Sequence, residues 1–404
     1  MKLTEDIFKL TANTIRCLCA DIVEKAKSGH PGAPMGMADL ATVLWLKHLN
    51  VDPKDPSWAD RDRLVFSGGH ASSLVYALFH LSGMGGLKME ELMAFRQWGS
   101  RCAGHPERGV APGVEVTTGP LGQGIAMGVG LALAAKKKNV QNRTWVFCGD
   151  GDLEEGISHE ACSLAGALKL DNLTLIYDSN HITIEGDTAL AMSDDAKRRF
   201  ESYGWKVFEV DGHDMAAIDR VYQRAKKVVG QPAIIIATTH IGCGAPTKQD
   251  TADCHGAPLG AEELAGTKKA LGFDPEKSFY VPEEVYAVFK FRTLQQHRIA
   301  RKTTKGEVAL FEKCISQDSW NVGRSGHQCG FWALGGGEVD YIGCTSKGDD
   351  VPFSVEAYGK EGEPPPETLM KIRNCKVEPK GGRIYGRMDG NITVDTDGSV
   401  AKPK

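Results

Sequence analysis

Residues 143–177 carry an alternation that leaves few folds open. Residues 143–148 (RTWVFC) read as a buried strand, and residues 173–177 (LTLIY) read as another. Between them, residues 153–168 read as a helix, with Ile157, Ala161, Leu164, Ala165 and Leu168 on one apolar stripe. Parallel neighbours need a connection of a dozen or more residues, which a helix supplies, so this order fits a right-handed crossover in a parallel sheet. The same grammar runs outward. Ile7, Leu10, Thr14 and Leu18 recur at helical spacing until Gly29 and Pro31 end the pattern. Residues 64–66 read as a short buried strand, and residues 207–210 and 233–238 add two more. An α/β unit with a mainly parallel central sheet flanked by helices is predicted over residues 1–320.

Beyond that point the pattern changes. Residues 335–337 (GGG) and 364–366 (PPP) punctuate a polar segment, the strand candidates at 383–385 and 392–394 are short, and no strongly periodic helix follows about Cys314. Residues 321–404 are expected to form a short Gly/Pro-rich appendage, small and β-rich or partly disordered, rather than a second α/β domain.

Composition narrows the class of function. With 404 residues, 41% hydrophobic and 25% charged, the chain reads as soluble and globular, with room for two or three units. A net charge of -4 with dispersed Lys and Arg argues against nucleic acid as a partner. The apolar window at 124–135 is glycine-rich and too short to span a membrane, and the N-terminus lacks the basic-then-apolar order of a secretion signal. Eleven irregularly spaced cysteines outline no disulfide framework, and Cys17 and Cys19 have no second pair nearby to complete a zinc tetrahedron. Inert thiols in a reducing cytoplasm are the expectation.

The most informative strings are FCGDGDLEEG from Phe147 and IYDSNHITIEG from Ile176. Asp150 and Asn180 fall just past the carboxyl ends of two strands expected to be neighbours, where open sheets present ligands. Magnesium takes about six oxygens near ~2.1 Å and is commonly held by few protein groups plus phosphates. Asp150 can supply an anionic oxygen, Asn180 an amide oxygen and Ile182 a backbone carbonyl, which leaves places for two diphosphate oxygens and water. Gly149 and Gly151 let the main chain approach closely, and the helix beginning near Leu153 offers phosphate-friendly amides. Taken singly, Asp150 and Asn180 are also residues that end strands and cap turns.

These strings belong to a longer series. SGHPGAP with His30, SGGHASS with His70, GHPE with His105, TTGPLGQG from Thr117, the GDG and DSN segments, and HGAPLG from His255 follow one another along the chain. In this order they resemble the N-terminal, diphosphate-binding part of the transketolase family over roughly residues 1–320. The resemblance implies a thiamine-diphosphate-binding fold with thiamine diphosphate and Mg2+ as cofactors. It implies that His70 and His255 contact the diphosphate, that His30 and His105 line the route to the reactive thiazolium carbon, and that Gly119 and Leu121 meet the aminopyrimidine. Glu155 would belong to an acidic relay joining two active sites across a subunit interface.

Without the resemblance the same residues have plainer readings. Each histidine is a structural or surface residue, the turn at Gly119 and Leu121 is a tight connector, and Glu155 is an acid beside a helix N-terminus. His213 reads as a turn residue, Lys136, Lys137 and Lys138 as a solvated helix end, and Met84, Met89 and Met93 as packing.

The family's activity is transfer of a two-carbon ketol unit between phosphorylated sugars, in the pentose phosphate pathway. It uses a second, pyrimidine-binding domain with an activating glutamate, and residues 321–404 offer only a faint similarity to such a domain in GGGEVD from Gly335. The expected function is therefore a transketolase-like component that acts as a homo-oligomer or with a separate pyrimidine-domain chain. The alternative is a non-catalytic cofactor-binding or regulatory protein.

Overall fold

The computed structural model describes residues 3–298 without a break and, beyond them, strand segments between 308 and 396. The chain divides into two compact units, Met1–Thr293 and Leu294–Lys404. Among the described residues no helix is long and apolar enough to cross a membrane.

The first unit is built on one five-stranded, all-parallel sheet. Its spatial order is Arg63–Phe66, Thr144–Gly149, Leu173–Ser179, Ala233–Thr238 and Lys206–Asp211. Because successive side chains on a strand face opposite ways, each strand divides its residues between two cores. Trp145, Phe147, Ile176 and Ile235 join a core that includes the helices Glu5–Ala26 and Ser72–Ser82. Val146, Cys148, Leu175 and Ile234 join a second core that includes Gln123–Lys137 and Gly156–Ala167. Both faces are covered, which is why these strands read as unbroken apolar runs instead of alternating ones.

The first helix is the best example of sequence setting structure. The Thr4 hydroxyl accepts from the Ile7 N–H, Glu5 and Asp6 occupy the favourable first turn, and Lys27 closes the helix in the left-handed region (φ 53°). A second helix differs from expectation. Instead of one helix at 153–168 there are two, Asp150–Glu154 and Gly156–Ala167, separated by Glu155 in an extended conformation (ψ 135°). Leu164 and Leu168 are exposed, and the inward face is made of Ser158, Ala161, Cys162 and Ala165. Small residues are required there because the helix runs close to its surroundings: a Cβ on Gly166 would lie 1.8 Å from the Tyr203 carbonyl oxygen. Met84 is packed inside, whereas Met93 is exposed.

Among the described residues the second unit has ten strands, and these pair in parallel. Val308–Glu312, Gly337–Ile342, Thr368–Arg373 and Ile392–Thr396 stack as one sheet, Ile315–Gln317, Thr345–Lys347 and Lys376–Glu378 as a second, and Cys329–Leu334, Val351–Ala357 and Tyr385–Met388 as a third. The chain visits the three sheets in rotation and advances by about thirty residues per circuit, since Val308 pairs with Glu338 and Glu338 with Leu369. The register sets Ala309, Val339, Met370 and Val394 at one position, and Asp340, Lys371 and Asp395 at the next. The strand candidate at 392–394 lies within Ile392–Thr396, and the one at 383–385 meets its strand only at Tyr385. The triple proline at 364–366 lies outside the described residues.

Candidate functional site

Three neighbouring strands end at one edge of the sheet, and the chain segments leaving them build a cavity of about 360 Å³. From Arg63–Phe66 the chain passes through Ser67, Gly68 and Gly69 to His70. Gly69 is obligatory in this turn, because a Cβ there would lie 2.7 Å from the Thr118 carbonyl carbon and 2.8 Å from the Gly119 nitrogen. From Thr144–Gly149 the chain enters Asp150, and from Leu173–Ser179 it enters Asn180. Parallel pairing of Gly149 with Asp178 fixes these two ends side by side.

Asp150 and Asn180 meet as the sequence predicts. The Asp150 carboxylate accepts from the main-chain N–H groups of Asn180 (3.3 Å) and His181 (3.2 Å) through Oδ2, and from the Tyr177 hydroxyl (2.5 Å) through Oδ1. Burial pushes its pKa above the ordinary carboxylate value, while those donors pull it back. The Asn180 amide donates to Asp178 Oδ2 (3.0 Å) and its oxygen accepts from the Ile182 N–H (3.0 Å). Asp178 also accepts from the Thr239 hydroxyl, and its burial raises its pKa to about 7. Between Asn180 and Ile182 the chain is strained, with His181 held at φ 62°. Among the described residues no group of three or more His, Cys, Asp or Glu side chains could hold a metal unaided.

Three histidines cluster in the same cavity. The ring centroids of His30 and His70 are 5.1 Å apart, those of His30 and His255 5.7 Å, and those of His70 and His255 5.4 Å. Burial and mutual repulsion lower His30 to about 4 and His70 to about 3, and burial also lowers His105 and His255. These rings are neutral near pH 7, with one nitrogen donating and one accepting. The Nδ1 atoms of His30 and His255 are buried with no hydrogen-bond partner among the described residues, an arrangement that calls for a polar ligand. His105 packs against Gly119, and Leu121 packs over Gly151, where a Cβ would come within 3.1 Å of the leucine methyl.

The candidate cofactor, metal and catalytic residues line this one cavity: His30, His70, His105, Gly119, Leu121, Asp150, Gly151, Glu155, Asn180, Ile182 and His255. Glu155 stands apart in one respect, since it occupies the N-cap of Gly156–Ala167 with no capping hydrogen bond and an exposed side chain. His213 is more than a turn residue. Its ring bonds Asp39 (2.7 Å), accepts from the His240 N–H (3.0 Å) and stacks on the His240 ring. Sequence reasoning missed Tyr177, Asp178 and Asp152, although each stands within three residues of a selected ligand, inside the same GDG and DSN strings.

An open parallel sheet that gathers an acid–amide pair, a glycine-flanked turn and neutral histidines past its strand ends defines an α/β protein with a ligand cavity at the carboxyl edge of the sheet. Comparison with known proteins agrees. Residues 7–325 match the family described as transketolase, thiamine diphosphate binding domain. Transketolase 1 of Aliivibrio fischeri is 54% identical over 290 residues, covering 69% of this chain and 43% of that protein. Transketolase 1 of Escherichia coli K12 is 52% identical over 322 residues, covering 77% and 48% respectively. The solved structure of transketolase from Leishmania mexicana superposes with a TM-score of 0.69 at 48% identity, covering 72% of this chain and 45% of that one. The structure from Campylobacter jejuni gives 0.69 at 47% identity, covering 74% and 50%. The chain belongs to the transketolase family through its thiamine-diphosphate-binding domain, and it spans less than half the length of these curated relatives.

Proposed function

We propose that this chain binds Mg2+ and thiamine diphosphate and supports two-carbon ketol transfer between phosphorylated sugars when a pyrimidine-binding domain completes the site. The observation that carries the reading is that Asp150, Asn180 and Ile182 line the same cavity as the four histidines. Asp150 supplies an anionic oxygen, Asn180 an amide oxygen and Ile182 a main-chain carbonyl. With so few protein oxygens, the remaining ligands of the cation come from diphosphate and water, as is usual for magnesium.

The buried, unpartnered nitrogens of His30 and His255 fit a ligand rich in oxygen. His70 and His255 bond the diphosphate, Gly151 lets the main chain approach it closely, and Gly119 and Leu121 form the wall toward the aminopyrimidine. Thiamine diphosphate supplies the carbon nucleophile and stores the charge left after carbon–carbon cleavage. His30 and His105 hold or move a proton at the sugar hydroxyls, a task suited to neutral imidazole in a half-buried site. Glu155, which is exposed, joins an acidic relay with a second subunit.

On this reading residues 1–320 are the functional domain, residues 321–404 are an appendage, and the protein is cytoplasmic. A homo-oligomer or a separate pyrimidine-domain chain completes the site. The strands described beyond the family match pair in parallel, which favours a second reading as a cofactor-binding regulatory protein. Titration of the full chain with thiamine diphosphate, with and without Mg2+, tests the shared premise: binding that needs Mg2+ is expected, and no binding refutes both readings. Ketol transfer assayed after addition of a transketolase pyrimidine domain then separates them, since binding without turnover leaves the regulatory reading.

A further inference from the structure

Asp152 carries its carboxylate into the interior beside the cavity, and only 1% of the residue is exposed. Its Oδ1 accepts from the Ser67 hydroxyl (2.7 Å) and from the Gly122 N–H (2.8 Å), and its Oδ2 accepts from the Gly149 N–H (3.0 Å). None of these donors is a cation. A buried carboxylate held only by neutral dipoles is costly, and its pKa is raised by that burial. A fold that needed only to fill this space would do better with an apolar side chain.

The identity of the three donors gives the reason for an acid. Ser67 follows the strand Arg63–Phe66 on the way to His70, Gly122 closes the turn that presents Gly119 and Leu121, and Gly149 leads directly into Asp150. Each belongs to a different wall of the cavity. The Ser67 hydroxyl extends the link by accepting from the Ile125 N–H (3.2 Å), inside the helix that follows the turn. The plain alternative is that Asp152 caps its own short helix, Asp150–Glu154, through the Gly149 N–H. That role uses Oδ2 alone. Oδ1 is engaged with two segments outside the helix, at Ser67 and Gly122.

We propose that Asp152 is a positioning residue, a clasp that fixes the aminopyrimidine wall at Leu121 relative to the diphosphate end at Asp150. The proposal rests on the cofactor reading above. A ligand that reaches both walls depends on their separation, whereas a ligand that occupies only the diphosphate end does not. Thiamine diphosphate and inorganic pyrophosphate are such a pair.

The test is calorimetric titration of the full chain in Mg2+ with each of the two ligands, for the wild type, Asp152→Asn and Ser67→Ala. Asp152→Asn turns an amide against the Gly149 or Gly122 N–H, and circular dichroism shows whether it folds. Ser67→Ala removes only one bond of the clasp and carries the test if Asp152→Asn does not fold. Thiamine diphosphate is expected to bind about tenfold more weakly to Asp152→Asn and about threefold more weakly to Ser67→Ala, with pyrophosphate affinity unchanged within about twofold. Equal losses for both ligands, or no loss for either in folded variants, overturn the clasp and leave the cofactor reading intact. A wild type that binds neither ligand overturns the cofactor reading and the clasp with it.

Discussion

The Tyr177 hydroxyl donates to Asp150 Oδ1 at 2.5 Å, so a residue in one strand fixes the carboxylate that follows the neighbouring strand. With Oδ2 engaged by the Asn180 and His181 N–H groups, the carboxylate has a single orientation before any cation arrives. Such preorganisation lowers the ordering cost of binding. Asp150→Ala should abolish Mg2+-dependent binding of thiamine diphosphate. Tyr177→Phe keeps the ring and removes one bond of about 1 kcal/mol, so apparent Mg2+ affinity should fall about fivefold. Cofactor binding followed across a Mg2+ series checks both, and unchanged Mg2+ dependence in Asp150→Ala removes that residue from the metal site.

This relationship also shows what the sequence made legible. Asp150 and Asn180 could be paired because two apolar runs flanking a helix imply neighbouring parallel strands, and the residues just past their ends must then meet. Tyr177 was not visible as a partner because it lies inside a strand, where an aromatic reads as core. Asp152 was hidden similarly, since an acid early in a helix already has a role at the N-terminus. The break at Glu155 escaped because helical spacing persists across it. The three-sheet winding after residue 308 escaped for a different reason: its strands are three to seven residues long, so no single one carries enough periodicity to register.

The histidine cluster should make the fold sensitive to acid. His30 and His70 have pKa values lowered to about 4 and about 3, against an ordinary 6.5. Between those values and 6.5 the unfolded chain holds protons that the folded chain excludes, so their contribution to stability falls as pH drops through that window. Asp178 acts oppositely. Its pKa is raised to about 7 from 3.8, so the folded state holds a proton that the unfolded chain releases, and its contribution grows as pH drops from 7 toward 3.8. Melting temperatures between pH 4 and 7 should fall less steeply with acid in His70→Asn than in the wild type, and more steeply in Asp178→Asn. Parallel profiles for all three proteins would contradict the assignment.

Gly69 and Gly130 should respond oppositely to alanine. At Gly69 a Cβ would strike main-chain atoms of Thr118 and Gly119 at 2.7–2.8 Å, and backbone cannot yield as a flexible side chain can. Gly69→Ala should therefore destabilise by about 1–3 kcal/mol and weaken cofactor binding by moving His70 away from the Gly119 turn. At Gly130, within the helix Gln123–Lys137, a Cβ meets nothing within 4 Å. There alanine should stabilise by about 0.5–1 kcal/mol through helix propensity alone. Urea unfolding of the two variants reads both signs directly.

A buried ion pair ties the end of the first unit to its opening helix. Lys268 Nζ lies 2.6 Å from Asp21 Oδ1, with the two side chains only 2% and 3% exposed. The pair fixes a loop as well: Lys268 also donates to the Lys277 carbonyl (2.8 Å), and Asp21 accepts from the Phe279 N–H (2.7 Å). Removing one charge leaves the other buried alone, so Lys268→Met should destabilise by about 3–5 kcal/mol. Asp21→Asn combined with Lys268→Met removes both charges, yet keeps an oxygen for the Phe279 N–H. The double variant should therefore be more stable than Lys268→Met alone, a sign that additive contributions cannot produce. A double-mutant cycle by denaturant unfolding measures this coupling, and simple additivity of the two substitutions would show that the pair is not acting as a buried charge couple.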